Sequence, residues 1–140
     1  MKFEVNADFR QASRSLKKKN KDLKSSVKKA LLITALKGIN IIEDRTSKGR
    51  SFKGTFFKKY SASYAAYRLK KGRSTKPDLQ FTGQMMGSMS AISTSRYAEI
   101  YFTRAAESKK AAMNNKSRPF FGFSRNEQKT LSKTFERYLK

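Results

Sequence analysis

Apolar and polar positions alternate in three different rhythms along this chain. Lys2 to Val5 reads polar–apolar–polar–apolar, K-F-E-V, which is a short first strand or only a lead-in. Asn6 is a plausible helix N-cap, and Asp8 suits the first turn and its dipole. From Phe9 the apolar residues keep helical time: Phe9, Ala12, Leu16, Leu23, Val27, Ala30, Leu31, Thr34, Gly38, Ile41 and Ile42 fall on one stripe. One helix from about 8 to 45 fits, and so do two helices broken near Asn20. Repulsion among Lys17, Lys18, Lys19 and Lys21 favours the break. Gly38 inside the stripe marks a close approach or a bend, since glycine costs about 1 kcal/mol in a helix interior.

The rhythm then disappears. Gly49 and Gly54, with Ser and Thr between them, predict a long, irregular, solvent-reaching loop over 46–60. Phe52, Phe56, Phe57 and Tyr60 argue against pure disorder there. Ser61 or Ser63 caps a short helix carrying Tyr64, Tyr67 and Arg68, whose i, i+3 tyrosines read as core contacts. Leu79-Gln80-Phe81 is apolar–polar–apolar, and Thr82 caps a brief turn over 83–89. Ala91–Thr94 and Tyr97–Thr103 alternate around the polar pair Ser95-Arg96, which predicts a β-hairpin. Residues 105–116 form a loose helix or a loop.

The chain closes on Arg118-Pro119-Phe120-Phe121-Gly122-Phe123-Ser124 and a helix. Ser124 and Glu127 have capping-box spacing. Leu131, Phe135, Tyr138 and Leu139 then form one apolar stripe. Pro119 sets the turn, Phe121 and Phe123 seat the last helix on the hairpin, and Arg118 and Phe120 face outward. The expected fold class is α+β. It is one domain over 1–140: a helical arm (8–45), an extended basic loop (46–60) and a core (61–140). In that core the C-terminal helix packs on a small antiparallel sheet.

Composition sharpens the question of partners. Thirty-three Lys and Arg face ten Asp and Glu, a formal charge of +23, while apolar residues make up only 37% of the chain. Such self-repulsion points to anionic partners: nucleic acid, an acidic protein surface or anionic lipid. Eleven basic residues and no acidic one lie between Asp44 and Asp78. There is no cysteine and no histidine, which removes disulfides, finger-type zinc sites and the commonest general base. No apolar run approaches the roughly 18 residues a membrane span needs, and Phe3 and Val5 do not make a signal-peptide core. The expected setting is a cytosol-like compartment, or a particle assembled there.

Catalytic chemistry has little to stand on. The ten carboxylates are scattered, and only Glu43 and Asp44 are adjacent. No phosphate-binding glycine loop is present. The expectation is a non-enzyme without cofactor, metal or small-molecule substrate, with a metal-dependent nuclease far behind.

Four segments, in order, resemble the tail-completion (virion morphogenesis, head–tail joining) proteins of tailed bacteriophages. They are Arg45-Thr46-Ser47-Lys48-Gly49, the run from Phe57 through Tyr60-Ser61 to Tyr64-Ala65, the run from Leu79 through Thr82-Gly83 to Met89, and the Arg118–Ser124 turn. The likeness spans roughly 45–139. It departs from the family after the hairpin, where a His-Gln-x-Gly-like segment is replaced by Thr103-Arg104-Ala105-Ala106-Glu107-Ser108. The resemblance implies a structural protein of the virion neck, assembled in the host cytoplasm as a ring, usually a hexamer. Its neighbours would be head-closure or connector proteins and tail-tube or tail-terminator proteins, with genomic DNA passing non-specifically through the bore. A small non-specific nucleic-acid-binding protein is the alternative.

Three residue sets follow. Arg45, Lys48, Arg50, Phe52, Lys53, Phe56 and Phe57 are expected at a partner or ring interface, ordering on assembly, so that deleting 48–56 leaves a folded monomer. Lys17, Lys18, Lys19, Lys21, Arg68, Lys70, Lys71 and Arg73 are candidate polyanion contacts, although many lysines should face protein or solvent rather than the bore of a channel that must release DNA. Pro119, Phe121, Phe123, Ser124 and Glu127 are the structural anchor.

Overall fold

The computed structural model describes residues 2–6 and 20–139. Strand β1 (Lys2–Asn6) precedes helix α1 (Asn20–Ser47). Then come α2 (Ala62–Lys70), the single turn α3 (Gln84–Gly87), β2 (Met89–Ser93), β3 (Tyr97–Phe102), α4 (Ala105–Ser117) and α5 (Arg125–Tyr138). This is an α+β fold. The choice between one N-terminal helix and two turns on residues 7–19, which lie outside the described residues, as do Lys17, Lys18 and Lys19.

The sheet is antiparallel in the order β1-β3-β2. Its hairpin turns on Thr94, whose Oγ1 accepts from Arg96 N at 3.1 Å and Tyr97 N at 3.2 Å, which fixes the register. Ala98, Ile100 and Phe102 are buried at alternate positions of β3, and α1 covers the sheet. Along α1, Val27, Ala30, Leu31, Thr34, Ala35 and Ile42 are buried. Thr34 satisfies its hydroxyl on Ala30 O at 2.7 Å. Gly38 marks the tightest approach. A Cβ there would stand 2.8 Å from the Phe123 ring and 3.2 Å from Ile100 Cδ1, so the glycine serves close packing.

The terminal helix begins as its sequence predicts. Glu127 N donates to Ser124 Oγ at 3.1 Å, and Ser124 N donates to Glu127 Oε1 at 2.8 Å. Its Leu131 and Phe135 are buried, while Tyr138 at the end of the stripe is half-exposed. The chief partner of α5 is α1, which lies between it and the sheet. The aromatic turn also differs from expectation: Phe120 is fully buried and does not face outward. Asn115 Oδ1 accepts from both Phe120 N (3.1 Å) and Phe121 N (3.0 Å), which turns the Phe120 ring inward against Phe102.

The largest correction concerns residues 46–60. Thr46 and Ser47 belong to α1, and 48–60 form a tight, pinned loop rather than an extended one. Ser51 N donates to Thr55 O at 2.8 Å, Phe57 N to Gly49 O at 2.8 Å, and Phe52 N to Pro119 O at 3.1 Å. Gly49 (φ 71°) and Gly54 (φ 86°) supply the left-handed turns. Thr46, Ser51 and Phe57 are buried. The Phe52 ring occupies the space over Gly122, where a Cβ would meet it at 2.7 Å.

Candidate functional site

Two arginines organise the surface that the sequence singled out. Arg45 stands at the end of α1. Its Nη1 donates to both oxygens of Glu127 at 2.7 Å, and its Nη2 donates to Phe120 O at 2.5 Å and Gly122 O at 3.0 Å. One guanidinium thus joins α1, the aromatic turn and the first turn of α5. Arg45 is an internal clamp rather than an interface residue. Phe57 is buried and Phe52, half-buried, packs over Gly122, while Lys48 pairs with Asp44 at 3.0 Å on the surface. Phe56, 70% exposed with the Arg50 guanidinium 4.4 Å from its ring centre, still projects from the loop. Lys53 is exposed beside it.

Arg68 is the second organiser, and it is the largest fully buried side chain in the described structure. Helix α2 starts on Ser61, whose Oγ accepts from Tyr64 N at 3.3 Å, and Arg68 is its one buried residue. Arg68 Nε donates to Ser74 O at 2.6 Å, and Nη2 donates to Asp78 Oδ1 at 3.0 Å. The rings of Tyr60, Tyr64 and Phe81 surround the guanidinium at 4.9, 5.8 and 5.8 Å. Burial pulls the Arg68 pKa down, but the Tyr64 hydroxyl and the charges of Tyr60 and Asp78 outweigh it, leaving it above the ordinary value. Burial raises the Tyr60 pKa, opposed by the hydrogen bond from Leu79 N and by Arg68. Arg68 is therefore spent on folding, and the expectation that it meets a polyanion is corrected.

The helix that Arg68 tethers leaves the rest of its surface open. Tyr64 and Tyr67 are not core contacts, being 37% and 47% exposed. Tyr64, Tyr67 and Phe81 form a stacked series with centroid spacings of 6.3 and 5.7 Å. Lys70, Lys71 and Arg73 are exposed at its margin, with Lys71 Nζ 5.8 Å from the Tyr67 ring centre and the Arg73 guanidinium 5.7 Å from that of Phe81. Nothing is described for the Lys21 side chain.

Below this stack runs a cleft of about 820 Å³ between α2, the 58–61 and 79–83 segments and the length of α4 from Glu107 to Ser117. Its basic lining residues are Lys58, Lys59, Arg68, Lys110 and Arg118, against one carboxylate, Glu107. Glu107 is buried and takes Lys110 at 3.1 Å. Arg118 holds the rim by donating to Lys58 O at 2.7 Å and Lys59 O at 3.0 Å, its guanidinium 4.7 Å from the Tyr60 ring centre. Lys58 and Lys59 are exposed, and neither has a carboxylate in ion-pair range among the described residues. The sequence reading did not group these two lysines with α4. Their signal was the stretch without carboxylates after Asp44, but their α4 neighbours are about fifty residues away in sequence.

Among the described residues, no three His, Cys, Asp or Glu side chains come together as metal ligands, and no helix is long and apolar enough to cross a membrane. The site can do electrostatic and stacking work. Comparison with family models, curated proteins and solved structures returned no match.

Proposed function

We propose that this chain is a structural protein of the tailed-phage neck, which completes the tail and joins it to the head as part of a ring. The reading rests on the resemblance of its four motifs, and one observation supports it most. The motif residues are tied to one another. Arg45 of the first motif binds Glu127 and the Phe120 and Gly122 carbonyls of the last turn. Arg118 of that turn binds the chain at Lys58 and Lys59, and the Tyr60 hydroxyl accepts from Leu79 N of the third motif at 3.1 Å. Motifs that close one network specify a shared fold, which is what a family signature would do.

The surface suits assembly. Phe56, Leu69, Met113 and Ile92 are between 50% and 71% exposed, and apolar groups of this size gain by meeting a neighbouring subunit. The excess of basic residues suits acidic neighbouring rings. Size-exclusion chromatography with light scattering is the direct test. The expected mass is several times the 16.0 kDa of one chain, near six copies for a closed ring. A monomer at all concentrations, combined with normal joining of heads and tails in its absence, would contradict the proposal.

The second reading, a small nucleic-acid-binding protein, is favoured by the basic cleft alone. It needs no ring.

A further inference from the structure

We infer that the cleft beneath the α2 tyrosines binds an unpaired stretch of nucleic acid. The electrostatics come first. Five basic side chains line the cleft against Glu107. Arg68 is tied to Asp78, and Lys110 to Glu107. Lys58 and Lys59 remain at the mouth without a carboxylate in ion-pair range among the described residues. Lysines so placed attract phosphate and release counterions when they meet it.

The second observation is the wall behind those charges. Tyr60, Tyr64 and Phe81, each with Arg68 on one side, give the cleft a largely aromatic side, with Met85 buried behind it. A duplex stacks its bases internally and would present mainly phosphate here, making no use of the exposed parts of that wall. A single strand offers phosphate and base face together, and combining a basic track with aromatic surface is how such strands are held. Beyond the cleft, Lys70, Lys71 and Arg73 continue the positive path past Tyr67 and Phe81. An acidic peptide would answer the lysines but not the aromatic side. The inference stands apart from the ring: a chain that never assembles keeps it, and a ring that ignores single strands overturns it alone.

The test is fluorescence anisotropy with labelled oligothymidine of about twelve nucleotides, within the usual site size of single-strand binding modules. The intact chain is compared with Lys58→Glu/Lys59→Glu and with the charge-matched Lys129→Glu/Lys133→Glu, whose positions lie exposed on α5. The cleft variant should lose about tenfold or more in affinity, and the α5 variant less than about twofold. With phosphate contacts from Lys58, Lys59, Lys70, Lys71 and Arg73, log K should fall with log salt at a slope of about −3.5, and of about −1.4 if only the two mouth lysines engage. Circular dichroism checks that both variants fold, and the milder Lys58→Gln/Lys59→Gln replaces the cleft variant if it does not. Equal losses in the two variants would overturn the inference. So would duplex binding as tight as single-strand binding, or displacement of the strand by polyglutamate at matched charge, which would assign the cleft to an acidic protein.

Discussion

Replacing Arg45 with methionine separates a fold clamp from an interface residue. Methionine keeps much of the stem's apolar bulk and removes all four hydrogen bonds. The Phe120 and Gly122 carbonyls then lose their side-chain donor, and Glu127 keeps only its capping contact with Ser124 N. Breaking a buried ion pair costs about 3–5 kcal/mol. Here the two side chains retain 10% and 20% exposure, and solvent screening places the expected loss at the low end, about 3 kcal/mol. For a chain of 140 residues that lowers Tm by about 10 °C. The assay is urea and thermal denaturation of wild type, Arg45→Met, Glu127→Gln and the double variant. The cycle should show a coupling of about 1.5 kcal/mol or more between the two residues. Arg45→Met within 1 kcal/mol of wild type, or strictly additive effects, would refute the clamp. An interface residue would instead leave the monomer's stability unchanged and weaken assembly.

Arg68→Leu should loosen α2 and the 74–81 segment while α1 and the sheet persist. Hydrogen exchange would read this as lost protection confined to those residues, and Arg68→Lys should not restore it, because one ammonium cannot make both bonds and lie among three rings. Ser124→Ala should cost about 1 kcal/mol by denaturation, the usual value of an N-cap. Tyr60 binds its proton more tightly folded than unfolded, so its contribution is complete below the unfolded value near 10 and is lost as pH rises through the folded one. Alkaline melts should show a smaller decline for Tyr60→Phe than for wild type. Deleting residues 48–56 should unfold the chain rather than spare the monomer, because Ser51 and Phe52 are fastened to the core; a stable, two-state deletion variant would contradict the pinned loop.

Local signals carried much of the fold. The capping box, the hairpin and the α1 stripe depend on spacing within a few residues, and spacing is what a sequence displays. The cap of α2 was legible to within Ser61 or Ser63, and it is Ser61. The loop over 46–60 was not. Its glycines and basic residues look solvated in isolation, and what pins it is Pro119 O and the bare face of Gly122, about seventy residues away. Phe120 was misjudged because an Asn five residues earlier carries no spacing rule of its own, yet Asn115 Oδ1 holds the backbone of the turn and the ring lies inward against Phe102. Arg68 was misread through its charge. A basic residue normally seeks water, and only Asp78, Ser74 O and three surrounding rings make its burial favourable. Of the candidate site, Lys70, Lys71 and Arg73 were legible from the charge run, whereas the cleft joining Lys58 and Lys59 to α4 exists only through tertiary packing.

The neck reading is tested most directly by electron microscopy of lysates from a phage lacking only this gene. The account predicts DNA-filled heads and complete tails lying apart, with joining restored when the chain is supplied. Joined, infectious particles in normal number without it would contradict the central claim.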